Sequence, residues 1–196
     1  MGGGQLADTI RAFVALDLDA KSVRRVVRLA DRLRMASGAP SATWTPQDSV
    51  HLTLKFMVSL PAAAVIPLGK ALAPLIAGGA PQPGTCCLQA FPSVEQASVV
   101  VIELADPRGD LAKLAAKIEK LTSRHGVARE SRAFVPHVTI ARLKRPYDSR
   151  RWLKPELAEA AGEFNVARLT LYRSDLGASK QGGSVYVPLA SFDYPA

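Results

Sequence analysis

The stretch His51 to Phe56, HLTLKF, has a counterpart in His137 to Leu143, HVTIARL. The chain has 196 residues and three histidines, and these two each carry a threonine two positions on. Both stretches alternate apolar and polar side chains, the period of a β-strand with one buried face. Residues i and i+2 of a strand share a face, so His51 stands beside Thr53 and His137 beside Thr139. Leu52, Leu54, Val138 and Ile140 turn the other way, towards a hydrophobic layer. The polar faces cost free energy if buried without partners, and a polar cleft removes that cost.

Outward from these strands the element order repeats. RAFVALDL (Arg11 to Leu18) reads as a strand. Asp19 follows where an N-cap belongs, ahead of Val23, Val26, Val27, Ala30 and Leu33 at helical spacing, and Gly38 closes that helix. Ala62 to Ala77 predicts a helix weakened by Pro67 and Pro74, and TCCLQAF a strand. ASVVVIEL opens the second half. It leads to a helix with Leu111, Leu114, Ala115, Ile118 and Leu121 on one face, ending at His125-Gly126. After PHVTIARL come a basic loop, KRPYDSRR, a helix through Trp152 to Ala160, the strand VARLTLYRS, a glycine-rich turn ASKQGG and a last strand, SVYVPLASF.

His51 and His137 lie 86 residues apart, and Leu16, Asp17 and Leu18 precede Ile102, Glu103 and Leu104 by the same interval. A β-α-β order met twice at one offset predicts an α+β fold of two pseudo-symmetric lobes. Each would be a small, mostly antiparallel sheet with helices on its outer face, the two enclosing a central cleft. Residues 1–10 are expected to form a flexible tail and residues 11–196 a single two-lobed domain.

Composition narrows the function. With 48% hydrophobic residues the chain can bury a core, and no apolar stretch reaches the roughly 18 residues of a membrane span. The opening MGGGQLADTI lacks the basic start and apolar run of a signal peptide, so the expected compartment is the cytoplasm and no membrane partner is expected. A net charge of +8 points to an anionic partner, nucleic acid first. Cys86 and Cys87 are adjacent and cannot form an ordinary disulfide, which leaves them as core or sheet residues.

Two imidazoles facing each other across a cleft supply a general base and a general acid, and the neighbouring hydroxyls can donate to an anion. A phosphodiester suits that arrangement. In-line displacement at phosphorus needs a proton taken from the attacking water on one side and given to the leaving oxygen on the other. No cysteine or acidic residue stands at metal-ligand spacing from either histidine, so no metal and no cofactor are expected. No serine or cysteine lies in a nucleophile elbow. His125, before Gly126, reads as a helix-end dipole partner.

At these residues the sequence resembles the 2H phosphoesterase superfamily, named for two H-x-T-x motifs, and within it the RNA 2′,3′-cyclic phosphodiesterases, also called 2′-5′ RNA ligase-like. The resemblance runs through RAFVALDL, VHLTLKF, FVPHVTIARL, LYRSDLG and VYVPLASF, from Arg11 to Phe192. It implies metal-independent hydrolysis of a terminal 2′,3′-cyclic phosphate on RNA to a 2′-phosphate, and the protein is expected to be a monomer. It also implies the roles: His51 as proton donor to the leaving 3′ oxygen, His137 as acceptor from water, and Thr53, Thr139 and Arg142 as phosphate ligands. A 2′-5′ RNA ligase, a small cyclic-nucleotide phosphodiesterase and a non-catalytic RNA-binding relative remain as alternatives.

Arg142 raises a difficulty of parity, since five residues after His137 an ideal strand turns it to the opposite face, and a bulge must re-aim it. Lys55, four residues after His51, has the matching parity and is a lesser candidate. The chain departs from the family pattern at Phe56-Met57-Val58-Ser59 and in a final turn enlarged by Lys180 to Gly183, which bears on substrate preference. Phe13, Trp44, Phe56 and Phe134 read as core residues. Arg142, Lys144, Arg145, Arg150 and Arg151 are candidates for attracting an RNA backbone.

Overall fold

A computed structural model of the chain describes residues 9–84, 86–153, 163–178 and 184–195. The described residues form an eight-stranded, antiparallel sheet with three α-helices, an α+β fold. Strand β1 is Thr9–Leu18, β2 Ala42–Trp44, β3 His51–Pro61, β4 Cys86–Phe91, β5 Ala97–Leu104, β6 His137–Tyr147, β7 Val166–Asp175 and β8 Val185–Asp193. The helices are α1 (Ala20–Met35), α2 (Val65–Leu72) and α3 (Asp110–Arg124). β1 begins at Thr9, inside the stretch read as a tail.

Helix boundaries follow from local chemistry. The Asp19 carboxylate accepts from the Ser22 amide at 2.6 Å and caps α1, whose Val26, Leu29, Ala30 and Leu33 are buried at i, i+3, i+4 and i+7. Val23 and Val27, expected on that face, are only half-buried at its edge. Pro67 is tolerated in the first turn of α2, where its missing N–H satisfies no helical bond, and the chain passes into a 3₁₀ segment at Ala73, just before Pro74. In α3, Leu111, Leu114, Ala115 and Ile118 are buried and His125 is the C-cap, with Gly126 at φ 81°. The loop expected at Lys144 to Arg151 is half strand, since β6 continues to Tyr147, where it pairs with Ala97. Cys87 is a sheet residue with an exposed side chain. The helix expected to run to Ala160 lies mostly outside the described residues, as do most of the turn Ala178 to Gly183 and residues 1–8.

The strand order is β4-β5-β6-β3-β1-β7-β8, with β2 also on β6. β3 and β6 meet at one residue pair only, Leu52 with Val138. Beyond it β2 occupies the edge of β6, pairing Trp44 with Ala141 and Thr43 with Arg142, so β3 and β6 part company. The sheet is thus continuous, yet its two halves share a single bridge.

The halves repeat in register. Asp17, Leu16 and Ala15 of β1 face His51, Leu52 and Thr53 of β3, and Glu103, Ile102 and Val101 of β5 face His137, Val138 and Thr139 of β6. The next partner on β3 is Lys55, opposite Val14, and on β6 it is Ala141, opposite Val100. Each motif strand therefore carries one extra residue, Leu54 or Ile140, at the same distance from its histidine.

Candidate active site

The single bridge sets the site. In an antiparallel pair centred on Leu52 and Val138, position 51 lies beside 139 and position 53 beside 137. Leu52 and Val138 are both 0% exposed and point into the core, so their flanking residues turn to the opposite face. His51 then neighbours Thr139, and Thr53 neighbours His137. That face opens into a cleft of about 580 Å³ whose lining includes His51, Thr53, Thr139 and Arg142. His137 adjoins the cleft beyond Thr53 rather than lining it, and its charge still reaches His51.

The two rings are held alike. Nδ1 of His51 lies 2.8 Å from the Ser49 carbonyl, and Nδ1 of His137 lies 2.8 Å from the Val135 carbonyl, each two residues upstream. A carbonyl only accepts, so Nδ1 carries the proton in both rings and Nε2 is left to exchange one. Nε2 of His51 is 3.1 Å from the Thr53 hydroxyl.

Their surroundings differ. The His51 ring stacks on Phe13 at 4.8 Å and meets the edge of Tyr186 at 5.4 Å. Phe13 in turn stacks on Tyr172, whose hydroxyl donates to Asp17 at 2.9 Å. Burial against this aromatic wall pushes the His51 pKa down to about 4, reinforced by the charges of His137 and Arg142 and opposed by the bond to Ser49. A pKa of about 4 leaves the His51 ring neutral at pH 7. Burial also raises the Asp17 carboxyl and pushes the Tyr172 phenol up to about 12. His137 meets only Phe91 among the described aromatics, edge-on at 5.2 Å.

The paired bulges decide which side chains follow each histidine into the cleft. On β6 the extra residue leaves Ile140 and Ala141 both buried and turns Arg142 outward into the cleft. The bulge that the parity of Arg142 required is present. On β3 the same device buries Leu54 and Lys55 and presents Phe56, which is 39% exposed in the cleft. Lys55 therefore sits on the helix side, where its ammonium donates to Glu119 at 2.9 Å and to the Ala128 carbonyl at 2.9 Å. The parity that favoured Lys55 fails because the bulge reverses it.

A profile of the 2′-5′ RNA ligase superfamily matches residues 19–178. The chain belongs to that superfamily. Among the superfamily's proteins, an RNA 2′,3′-cyclic phosphodiesterase of Aquifex aeolicus is 28% identical over 189 residues, covering 93% of this chain and 96% of that one. A protein of the same name from Aeropyrum pernix is 31% identical over 132 residues, covering 62% of this chain and 68% of that one. The crystal structure of E. coli LigT complexed with 3′-AMP superposes with a TM-score of 0.64 at 22% identity, covering 96% of this chain and all of LigT, and so shares the fold.

In this member of the superfamily the sequence-predicted residues His51, Thr53, Thr139 and Arg142 meet in one cleft. Two aromatics read as core belong there too: Phe56, with the Arg11 guanidinium 4.4 Å above its ring, and Trp44, which lines the cleft while packing against the core. Phe13 is buried, as expected, and forms the wall behind His51 together with the half-buried Tyr172 and Tyr186. Phe134 packs against the core. Tyr172, Tyr186 and Arg11 escaped sequence reasoning. Their strands were legible, but which residues oppose His51 depends on the β1–β3, β1–β7 and β7–β8 registers.

Proposed function

We propose that the protein hydrolyses RNA 2′,3′-cyclic phosphate ends to 2′-phosphate ends, with His51 and His137 as the acid–base pair. The observation that carries this reading is the four-residue block around Leu52 and Val138: two Nε2-presenting histidines, each beside a threonine, on one face of the sheet. Thr53, Thr139 and Arg142 are the phosphate ligands, Arg142 by charge and the threonines by hydroxyl donation. Curated relatives over nearly the whole chain bear the corresponding enzyme name. The repeated register supports two lobes related by a pseudo-twofold axis, acting as one domain over residues 11–196. No metal enters the proposal, because each imidazole already performs the proton transfer.

With a pKa of about 4, His51 lacks at neutral pH the proton that its donor role needs. Raising its pKa from about 4 to neutrality requires roughly 4 kcal/mol of added electrostatic stabilisation. A phosphate anion about 4 Å away supplies roughly that much at an effective dielectric of 20. The bound anion thus lets His51 take up a proton from solvent, which the ring gives to the leaving oxygen, and His137, tied through Nδ1, receives the proton of the attacking water.

The neutral His51 also favours one second reading, in which His51 takes the proton from water and His137 protonates the leaving oxygen. The product separates the two. Incubation of the purified protein, pretreated with EDTA, with an oligoribonucleotide bearing a 2′,3′-cyclic end should convert that end to a 2′-phosphate with a free 3′-hydroxyl. A 3′-phosphate would reverse the assignment, and a persistent cyclic phosphate would end the proposal.

A further inference from the structure

Helix α1 carries Lys21, Arg24, Arg28 and Arg32, all exposed, at i, i+3, i+7 and i+11. That spacing lines them up in one row about 16 Å long on the outward face. Among the described residues none of the four is in a salt bridge. Four like charges in a row destabilise a helix slightly through mutual repulsion, and among the described residues nothing in the packing of α1 uses them. By contrast Arg150, in the basic stretch after the second motif, is bound to Asp148, with Nε 2.9 Å from Oδ1.

The row does not end in open solvent. In the same last turn as Arg32, but on the flank of the helix away from the row, Arg34 lies over the ring of Trp44 at 5.0 Å while keeping a 3.6 Å ion pair with Asp31. Trp44 lines the cleft, and its neighbour Thr43 is paired with Arg142. The last turn of α1 therefore stands at the Trp44 rim of the cleft, with Arg34 on the rim side and Arg32, the end of the row, on the exposed face.

We propose that the α1 row is a binding track for single-stranded RNA, holding the phosphates upstream of the end that enters the cleft. The direction of the RNA rests on the proposed function; the track itself does not. Regular cations beside an aromatic rim suit a flexible polyanion whose bases can stack. An anionic membrane fits less well, because the apolar face of α1 is buried against the sheet and offers nothing to insert.

The test compares the wild-type protein with the triple variant Arg24→Gln, Arg28→Gln, Arg32→Gln, whose exposed positions leave folding intact by circular dichroism. Binding is read by fluorescence anisotropy on a labelled single-stranded RNA of about 12 nucleotides with an unmodified 3′-hydroxyl, so it needs no turnover. Between about 50 and 200 mM salt, the slope of log Kd against log salt should fall by about 2 in the variant, the loss of three phosphate contacts. The Arg→Lys triple variant should keep the wild-type slope. Hydrolysis of a cyclic-ended dinucleotide, too short to reach α1, should be unchanged. An unchanged slope, or loss of wild-type affinity only for vesicles of phosphatidylglycerol, overturns the track. If the wild type binds RNA with an α1-dependent slope but hydrolyses no cyclic end, the proposed function falls and the track stands.

Discussion

Strands β3 and β6 have the same length, the same register against their neighbours and the same bulge, yet they deliver different groups to the cleft. Behind the first histidine come a buried lysine and an aromatic, Lys55 and Phe56; behind the second come Ala141 and Arg142. His51 is stacked in an aromatic wall and held neutral, whereas His137 meets a single aromatic edge among the described residues. A shared backbone can thus place two identical side chains in unlike surroundings, and those around the first depress its proton affinity. Such environmental asymmetry is what a reaction with a distinct donor and acceptor needs.

The largest effect should come from removing either imidazole. His51→Ala and His137→Ala are each expected to lower turnover by about 10²–10⁴-fold while circular dichroism stays unchanged. If only one variant loses activity, the two strands are not functional equivalents. Lys55→Met tests the opposite face of the comparison. It strips Glu119 of its buried partner, so urea unfolding should register a loss of about 3 kcal/mol, with activity per folded molecule retained. Loss of activity at full stability would return Lys55 to the cleft.

The depressed pKa of His51 makes a stability prediction with a definite sign. Between its ordinary value of 6.5 and about 4 the unfolded chain binds a proton that the folded chain refuses. Stability from this group is therefore present above pH 6.5 and declines as the pH falls towards 4, by about 3 kcal/mol in all. Urea midpoints across that window should fall less steeply for His51→Gln than for the wild type. Arg142→Ala should cost about tenfold in kcat/KM, with partial retention in Arg142→Lys, as expected for one charged contact to phosphate.

Much of this was legible in the chain. Period-2 alternation identified both motif strands, and the interval shared by Leu16, Asp17 and Leu18 with Ile102, Glu103 and Leu104 anticipated the repeated register. The parity of Arg142 required a bulge, and one exists at Ile140. The same reasoning applied to β3 without its bulge misplaced Lys55, because a one-residue slip exchanges the faces of everything beyond it, and the same slip brings Phe56, read as core for its aromatic ring, into the cleft. Short β2 gave no signal, since three residues carry no periodicity. The Phe13, Tyr172 and Tyr186 wall comes from strands far apart in sequence, so only tertiary register brings it to His51.

The cleft depresses the proton affinity of His51, and a bound phosphate is expected to reverse its protonation state. Histidine side-chain NMR across a pH titration, without and with a non-hydrolysable cyclic phosphate analogue, tests it directly. The free protein should show His51 titrating near pH 4, and the bound protein should show it protonated near neutrality. A His51 that titrates at 6.5 in the free protein, or that stays neutral when the analogue is bound, would contradict the account.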